Sequence, residues 1–303
     1  MLRNSAIAAA LALALGACAT TSDTPSQALP RASAAAQATP VPAPPSPAER
    51  AQERAEDALR RVIVGQWRSR ENSIRDAYRN PLQTLMFFGV EPQHTVIEIT
   101  PGSGWYSEIL APYLRDHGQY IAAVVDPQAL PEGKRDFLLK SKTGLEEKFA
   151  QAPAQYDRAR IVAFDPAQPR LGPAASADVV LTFRNVHNWR SNGNAEAMFK
   201  AFFDVLKPGG TLGVVEHRAA TEVPADDRSG YVGQAQVTTL AQQAGFIPAG
   251  ASEINANVRD TKDHPNGVWT LPPANAHEAA DAAKYRLIGE SDRMTLRFRK
   301  PGA

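Results

Sequence analysis

An α/β domain built on a mostly parallel sheet is the fold the sequence predicts, and three observations predict it. Residues 95–107 run from alternating β-branched apolar positions through Glu98 to Pro101, Gly102 and Gly104, then into helical spacing: strand, glycine turn, helix. Further apolar runs at 120–125, 160–164, 178–183 and 211–215 recur between segments of helical composition. A last run, 294–299, alternates apolar with polar, as a half-buried antiparallel edge strand does.

In chain order, Arg3 is the only basic residue before Arg31, and the apolar run 6–15 is too short to span a bilayer and suits a signal-peptide core. Leu15-Gly16-Ala17-Cys18 follows, ending in the chain's single cysteine, so disulfides within the chain are excluded. This resembles a bacterial lipobox, which implies loss of residues 1–17 and acylation of Cys18. An ordinary cleaved signal with an incidental cysteine is the alternative. More than one acyl chain would hold the protein on a membrane surface. Ala19 after the acylated cysteine is similar to the enteric lipoproteins sorted to the outer membrane, which implies an exported protein facing the periplasm. Residues 18–46 are Ala, Pro, Ser, Thr and Gln with hardly a large apolar side chain; they cannot offset their ordering entropy and read as a disordered tether. Residues 47–303 suffice for one α/β domain, and a net charge of +1 gives no footprint for nucleic acid.

Within that domain, 47–63 reads as a helix opened by Pro47, the first element of a helical segment that reaches residue 92. Arg68, Arg70, Arg75 and Arg79 read there as a solvated helix face. The glycines at 102 and 104 permit a sharp turn and close backbone approach to a ligand, and the helix after them offers free N–H groups. Asp126, at the end of the second strand, can accept both hydroxyls of a ribose. The turn lacks a complete G-x-G-x-x-G, and no Lys-Ser or Lys-Thr pair follows to hold a triphosphate. An adenosine without phosphates fits better.

These residues resemble the first motif of the class I S-adenosylmethionine (SAM)-dependent methyltransferases, with Thr100 and Pro101 where that motif has Gly and a variable residue. Arg79-Asn80-Pro81 leading into Leu85-Met86-Phe87-Phe88-Gly89-Val90 is similar to a family of predicted bacterial methyltransferases, and the likeness covers most of residues 68–301. The resemblance implies a Rossmann-like, seven-stranded, mostly parallel sheet, helices on both faces, and an antiparallel last strand inserted beside the fifth. It implies SAM as cofactor. Glu98 and the backbone of Thr100, Pro101, Gly102 and Gly104 would hold its amino-acid end, Asp126 its ribose, and Asp165 its adenine, with Phe164 or Ala163 near the ring. Asn185 joins this cofactor set. Local capping by Asp165 before Pro166 is the alternative.

The fourth strand, 178–183, delivers Arg184-Asn185-Val186-His187-Asn188-Trp189 at its carboxyl end, where open α/β sheets bind ligands; Asn188 and Trp189 are substrate-contact candidates. Lys207-Pro208-Gly209-Gly210 resembles the turn before the fifth strand, whose far end is Glu216-His217. The fourth and fifth strands are neighbours in this fold, about 5 Å apart, so His187 and His217 should line one pocket. Two histidines invite a metal. No third ligand sits at zinc-like local spacing, no cysteine is available and His264 is remote, so no metal is expected. General-base or substrate-orienting roles fit His187, His217 and Glu216 better, a satisfied structural histidine being the alternative for each.

Residues 236–244 read as a helix, and 245–250 open the sixth strand. Residues 255–291 form a long connection read as a lid or substrate element including His264, with a short helix near 277–285. The sequence therefore predicts a lipid-anchored SAM-dependent methyltransferase acting on an unidentified small or membrane-proximal acceptor. The alternative is a non-catalytic exported binding protein on the same fold, because SAM is made in the cytoplasm while a lipobox implies export.

Overall fold

The computed structural model describes residues 45–302. The signal peptide, Cys18 and residues 18–44 of the tether lie outside the described residues.

Helix α1 (Pro47–Ile63) begins with a capping box: Ser46 Oγ accepts the Glu49 N–H at 3.2 Å, and the Glu49 carboxylate accepts the Ser46 N–H at 2.6 Å. Three short helices follow, α2 (Arg70–Ser73), α3 (Asp76–Arg79) and α4 (Pro81–Phe88). The α/β part then runs β1 (Thr95–Ile99), α5 (Ser107–Leu114), β2 (Gln119–Val125), α6 (Glu132–Gln151), α7 (Pro153–Tyr156), β3 (Arg160–Phe164), β4 (Ala177–Phe183), α8 (Val186–Ser191), α9 (Ala195–Val205) and β5 (Leu206–His217). It closes with α10 (Gln234–Gln243), β6 (Ile247–Ser252), α11 (Ala282–Ile288) and β7 (Arg293–Arg299).

The strands form one sheet in the order β3-β2-β1-β4-β5-β7-β6. The first five pair in parallel and β7 is antiparallel to both β5 and β6, so six strands share a direction and the last opposes them, as predicted. It is not the half-buried edge strand its alternation suggests: β7 lies between β5 and β6 and is mostly buried, because its polar positions Arg293 and Thr295 are covered as well and Arg297 partly so. Two apolar layers cover the two faces. One packs α8, α9 and α10 through Trp189, Phe199, Phe202 and Val237; the other packs α1, α4, α5 and α6 through Leu59, Phe88, Leu110 and Leu145. Helix α4 fits closely because β5 carries Gly213, where an added Cβ would meet Phe88 and Leu181 at 2.7 Å.

The structure corrects two local readings. The Lys-Pro-Gly-Gly turn lies inside β5 as an irregularity opposite Ala177–Val179, with Gly209 at φ +78. The arginines before β1 are also more than a solvated face. Arg68 is buried and forks onto Asp76 at 2.6 and 2.9 Å, and Arg79, 3% exposed, reaches Glu290 at 3.3 Å. Trp105 is packed between these two guanidiniums, 5.2 and 4.7 Å from its ring centre. Glu290 lies more than two hundred residues downstream, beyond what local periodicity reports.

Candidate active site

The strand order reverses between β1 and β4, so the connections leaving them diverge to opposite faces and open a crevice at their carboxyl ends. A cavity of about 440 Å³ lies there, within the range of about 300–1,000 Å³ usual for small-molecule sites. A larger groove of about 1040 Å³ runs beside α1, away from the strand ends. We take the smaller cavity as the site because buried polar groups from β1, β4, β5 and the segment before β7 converge on it.

The β1 turn holds three residues in the left-handed region: Thr100 at φ +51, Gly102 at +59 and Gly104 at +78. For a β-branched residue this costs about 1–2 kcal/mol, and Thr100 Oγ1 is buried without a hydrogen-bond partner among the described residues. A Cβ on Gly104 would meet Leu145 Cδ1 at 2.8 Å, whereas one on Gly102, which lines the cavity, would meet nothing within 4 Å. Glu98, 2% exposed, accepts the Tyr120 hydroxyl at 2.5 Å and Ser107 Oγ at 3.4 Å. Burial outweighs these bonds and pushes its carboxyl up to about 7.

At the ends of β4 and β5 the sheet brings His187, Glu216 and His217 together. Glu216 is fully buried and accepts the N–H groups of Val186 at 2.6 Å, His187 at 3.3 Å and His217 at 2.8 Å, and contacts His187 Nδ1 at 3.0 Å. A carboxylate only accepts, so Nδ1 carries the proton and Nε2 keeps its lone pair. The His187 and His217 rings are 5.4 Å apart, and His217 Nδ1 pairs with Ser291 Oγ at 2.5 Å. Burial, then His187 and Arg184, hold His217 well below the usual histidine range, which keeps it neutral.

Glu216 is also the third potential metal ligand that local spacing did not reveal, since single ligand atoms of His187, Glu216 and His217 lie within 4.8 Å of one another. Its oxygens already accept four N–H groups, and Arg184, Arg293 and Arg79 act on His217 with positive charge that opposes a cation. The geometry favours a histidine–carboxylate pair.

Glu98, Thr100, Pro101, Gly102, Asn185, His187, Asn188 and His217 line the cavity, with Glu216 behind His187 and Gly104 in the turn. Asn185 is committed locally: its Nδ2 donates to Ile99 O at 3.0 Å and Thr182 Oγ1 at 3.2 Å, tying β4 to β1. Asp126 and Asp165 stand at the ends of β2 and β3, outside the cavity wall. Asp126 Oδ1 accepts the Gln128 N–H at 2.9 Å; Asp165 is exposed and accepts the Ala167 N–H at 2.8 Å, which is local capping, of a turn and not of a helix. Trp189 is not at the cavity. It points into the core, 5.4 Å from Phe202 and 6.5 Å from Phe199, because the α8 turn carries it away from Asn188. His264 is likewise elsewhere, with Nε2 at 2.9 Å from the buried Asp260 and its ring beside Tyr285. The segment 255–291 reaches the site through Trp269, whose ring centre is 5.9 Å from that of His187, and through Pro272, Pro273, Glu290 and Ser291. Its predicted helix is α11, preceded by a short 3-10 turn at Ala279–Asp281.

Sequence reasoning missed Arg75, Arg79, Arg184 and Glu290 as cavity residues. Only Arg184 carried a signal, its place directly after the fourth strand.

No family model and no curated protein sequence matches the chain. Among solved structures it is similar to a SAM-dependent methyltransferase from Aquifex aeolicus, at 13% identity and a TM-score of 0.50 over 81% of this chain and 98% of that one. It is also similar to the [4+2]-cyclase SpnF, at 15% identity and a TM-score of 0.53 over 86% and 98%. One of these is named a cyclase, so the fold alone does not decide the reaction. What the likenesses establish is architecture: this chain has the Rossmann-like class I methyltransferase fold.

Proposed function

We propose that the protein is a SAM-dependent methyltransferase with a small or membrane-proximal acceptor. The observation that carries the reading is the His187–Glu216 pair, set on the wall of a strand-end cavity in a methyltransferase fold. SAM, when bound, supplies a methyl group on a sulfonium to a nucleophile. The residues present fit it. The orphaned Thr100 Oγ1 and the N–H groups of Gly102 and Ser103 would hold its amino-acid end, with the ammonium opposite Glu98; the N–H groups of Thr100 and Gly104 already donate to Ala123 O and Pro101 O. Asp126 stands at the end of β2 beyond the cavity wall and has only one oxygen engaged locally, so it would take the ribose where the cofactor extends past the glycine turn.

His187 Nε2 would receive the acceptor's proton, and Glu216 would stabilise the imidazolium through Nδ1. Neutral His217 would orient the acceptor, and Trp269 would exclude water. The chain is proposed to be exported and anchored through acylated Cys18.

The test pairs titration calorimetry with turnover. SAM and S-adenosylhomocysteine should bind the wild type, and His187→Ala should keep the SAM Kd within about threefold while losing roughly 10²- to 10⁴-fold in rate. A folded wild-type protein that binds neither compound would refute the assignment, and one that binds both without turnover on any acceptor would favour the non-catalytic reading.

A further inference from the structure

Three arginines, Arg75, Arg79 and Arg184, line the cavity together with Glu290. Glu290 is buried and receives three guanidiniums, Arg75 Nε at 2.6 Å, Arg293 Nη1 at 3.1 Å and Arg79 Nε at 3.3 Å. Burial alone would raise its pKa; Arg293, Arg79 and Arg75 together hold it at about 2. A fourth guanidinium, Arg184, forms no ion pair among the described residues. Burial and the charge of Arg293 bring it down to about 10.

Four arginines thus face one carboxylate that belongs to them. Of the other nearby acids, Glu216 is engaged by His187 and three backbone N–H groups, and Glu98, which also feels Arg184 and Arg79, accepts from Tyr120 and makes no ion pair with an arginine among the described residues. Among the described residues the positive charge in excess of Glu290 has no ion-pair partner of its own, and burying it is costly unless a ligand supplies the anion. Two further observations place that ligand in the cavity. Arg75 Nη2 is buried without a hydrogen-bond partner, although Arg75 lines the cavity. Arg184, on the same wall, is held at φ +63, a strained conformation for a non-glycine residue that fixes its position beside Asn185 and His187. Tyr106 and Phe183, stacked with ring centres 3.7 Å apart, and Trp269 give the cavity an apolar wall beside these charges.

We propose that the methyl acceptor is an organic acid with an apolar or aromatic body, its carboxylate or phosphate held by Arg184 and Arg75 while its nucleophilic atom lies against His187. Guanidinium forks match both anions bidentately, so the chemistry shared by carboxylate and phosphate is what the site reads. The proposal rests on the methyltransferase reading, and its test separates the two.

The experiment measures, on the full chain at low ionic strength, the thermal shift and Kd for inorganic phosphate and for benzoate, with the SAM Kd alongside. Arg184→Gln and Arg75→Gln are the variants. Arg184 is repelled by Arg293, so removing its charge should not lower the wild-type Tm; Arg75→Gln leaves Glu290 two arginines. At least one of the two anions should bind, each variant should weaken it tenfold or more, and the SAM Kd should stay within about threefold. Which anion binds tells carboxylic from phosphoric acceptors. Absence of anion binding, or binding unchanged in both variants, would overturn the proposal. If both anions compete with SAM and the variants lose SAM affinity equally, the arginines hold the cofactor's own carboxylate: the acceptor proposal fails and the cofactor reading stands. Anion binding lost in the variants, with no SAM binding by the wild type, would overturn the methyltransferase reading and with it the anion's role as acceptor.

Discussion

Glu98 on β1 and Glu216 on β5, with β4 between them, are both buried carboxylates of one sheet, yet their surroundings give them different work. Glu216 is surrounded by N–H donors, so its charge is satisfied; Glu216→Gln replaces an acceptor with a donor against those groups. We expect a loss of about 3 kcal/mol, seen as a Tm lowered by roughly 6–12 °C, together with lost turnover. Glu98 has two hydroxyl partners and a carboxyl raised from 4.5 to about 7. Raised in the folded state, it contributes stability that is present below about 4.5 and lost as pH rises through about 7. A cationic ligand reverses the preference: SAM affinity should rise with pH toward 7, by up to about tenfold per unit, with proton release visible as a buffer-dependent binding enthalpy. Glu98→Gln should flatten that profile, and a pH-independent affinity in the wild type would show that the ligand ammonium does not meet this carboxylate.

The glycine turn shows how one element serves packing and binding through different residues. Gly104→Ala puts a methyl 2.8 Å from Leu145 at φ +78, so we expect it to destabilise the fold by about 1–3 kcal/mol, measured by denaturant midpoint. Gly102→Ala meets open space and bears only the strain of φ +59, about 1 kcal/mol, yet it lines the cavity. It should cost SAM affinity tenfold or more while the protein stays folded. Equal effects of the two substitutions on both readouts would refute this division. The turn and its flanking strand were legible in the sequence because strand period and glycine chemistry are local. The site end of α8 was only half legible: His187 and Asn188 reach the cavity, but Trp189 falls on the core side of the same turn. His264 failed for a related reason, since a polar pair in a long connection is as easily satisfied by itself as by a ligand.

For the molecule as a whole, the proposed anchor and the proposed site make separable predictions. Cys18→Ser should move the protein from the membrane to the soluble fraction of expressing cells while leaving SAM affinity unchanged; unchanged fractionation would remove the lipid anchor from the proposal. The succession of strands and helices and the glycine turn could be read from the sequence, because periodicity and turn chemistry are local. The place of the last strand beside β5 and the meeting of His187 with His217 were implied by the resemblance to the methyltransferase sheet, and the structure has both. Which charges meet depends on how distant segments pack. Arg75 and Arg79 precede the first strand and Glu290 precedes the last, and the sheet order β5-β7 brings the start of β7 to the strand ends where the helices before β1 also pack. Such pairs are set by burial and by the energy of unpaired charge in a low-dielectric interior, and neither leaves a periodic mark on the chain.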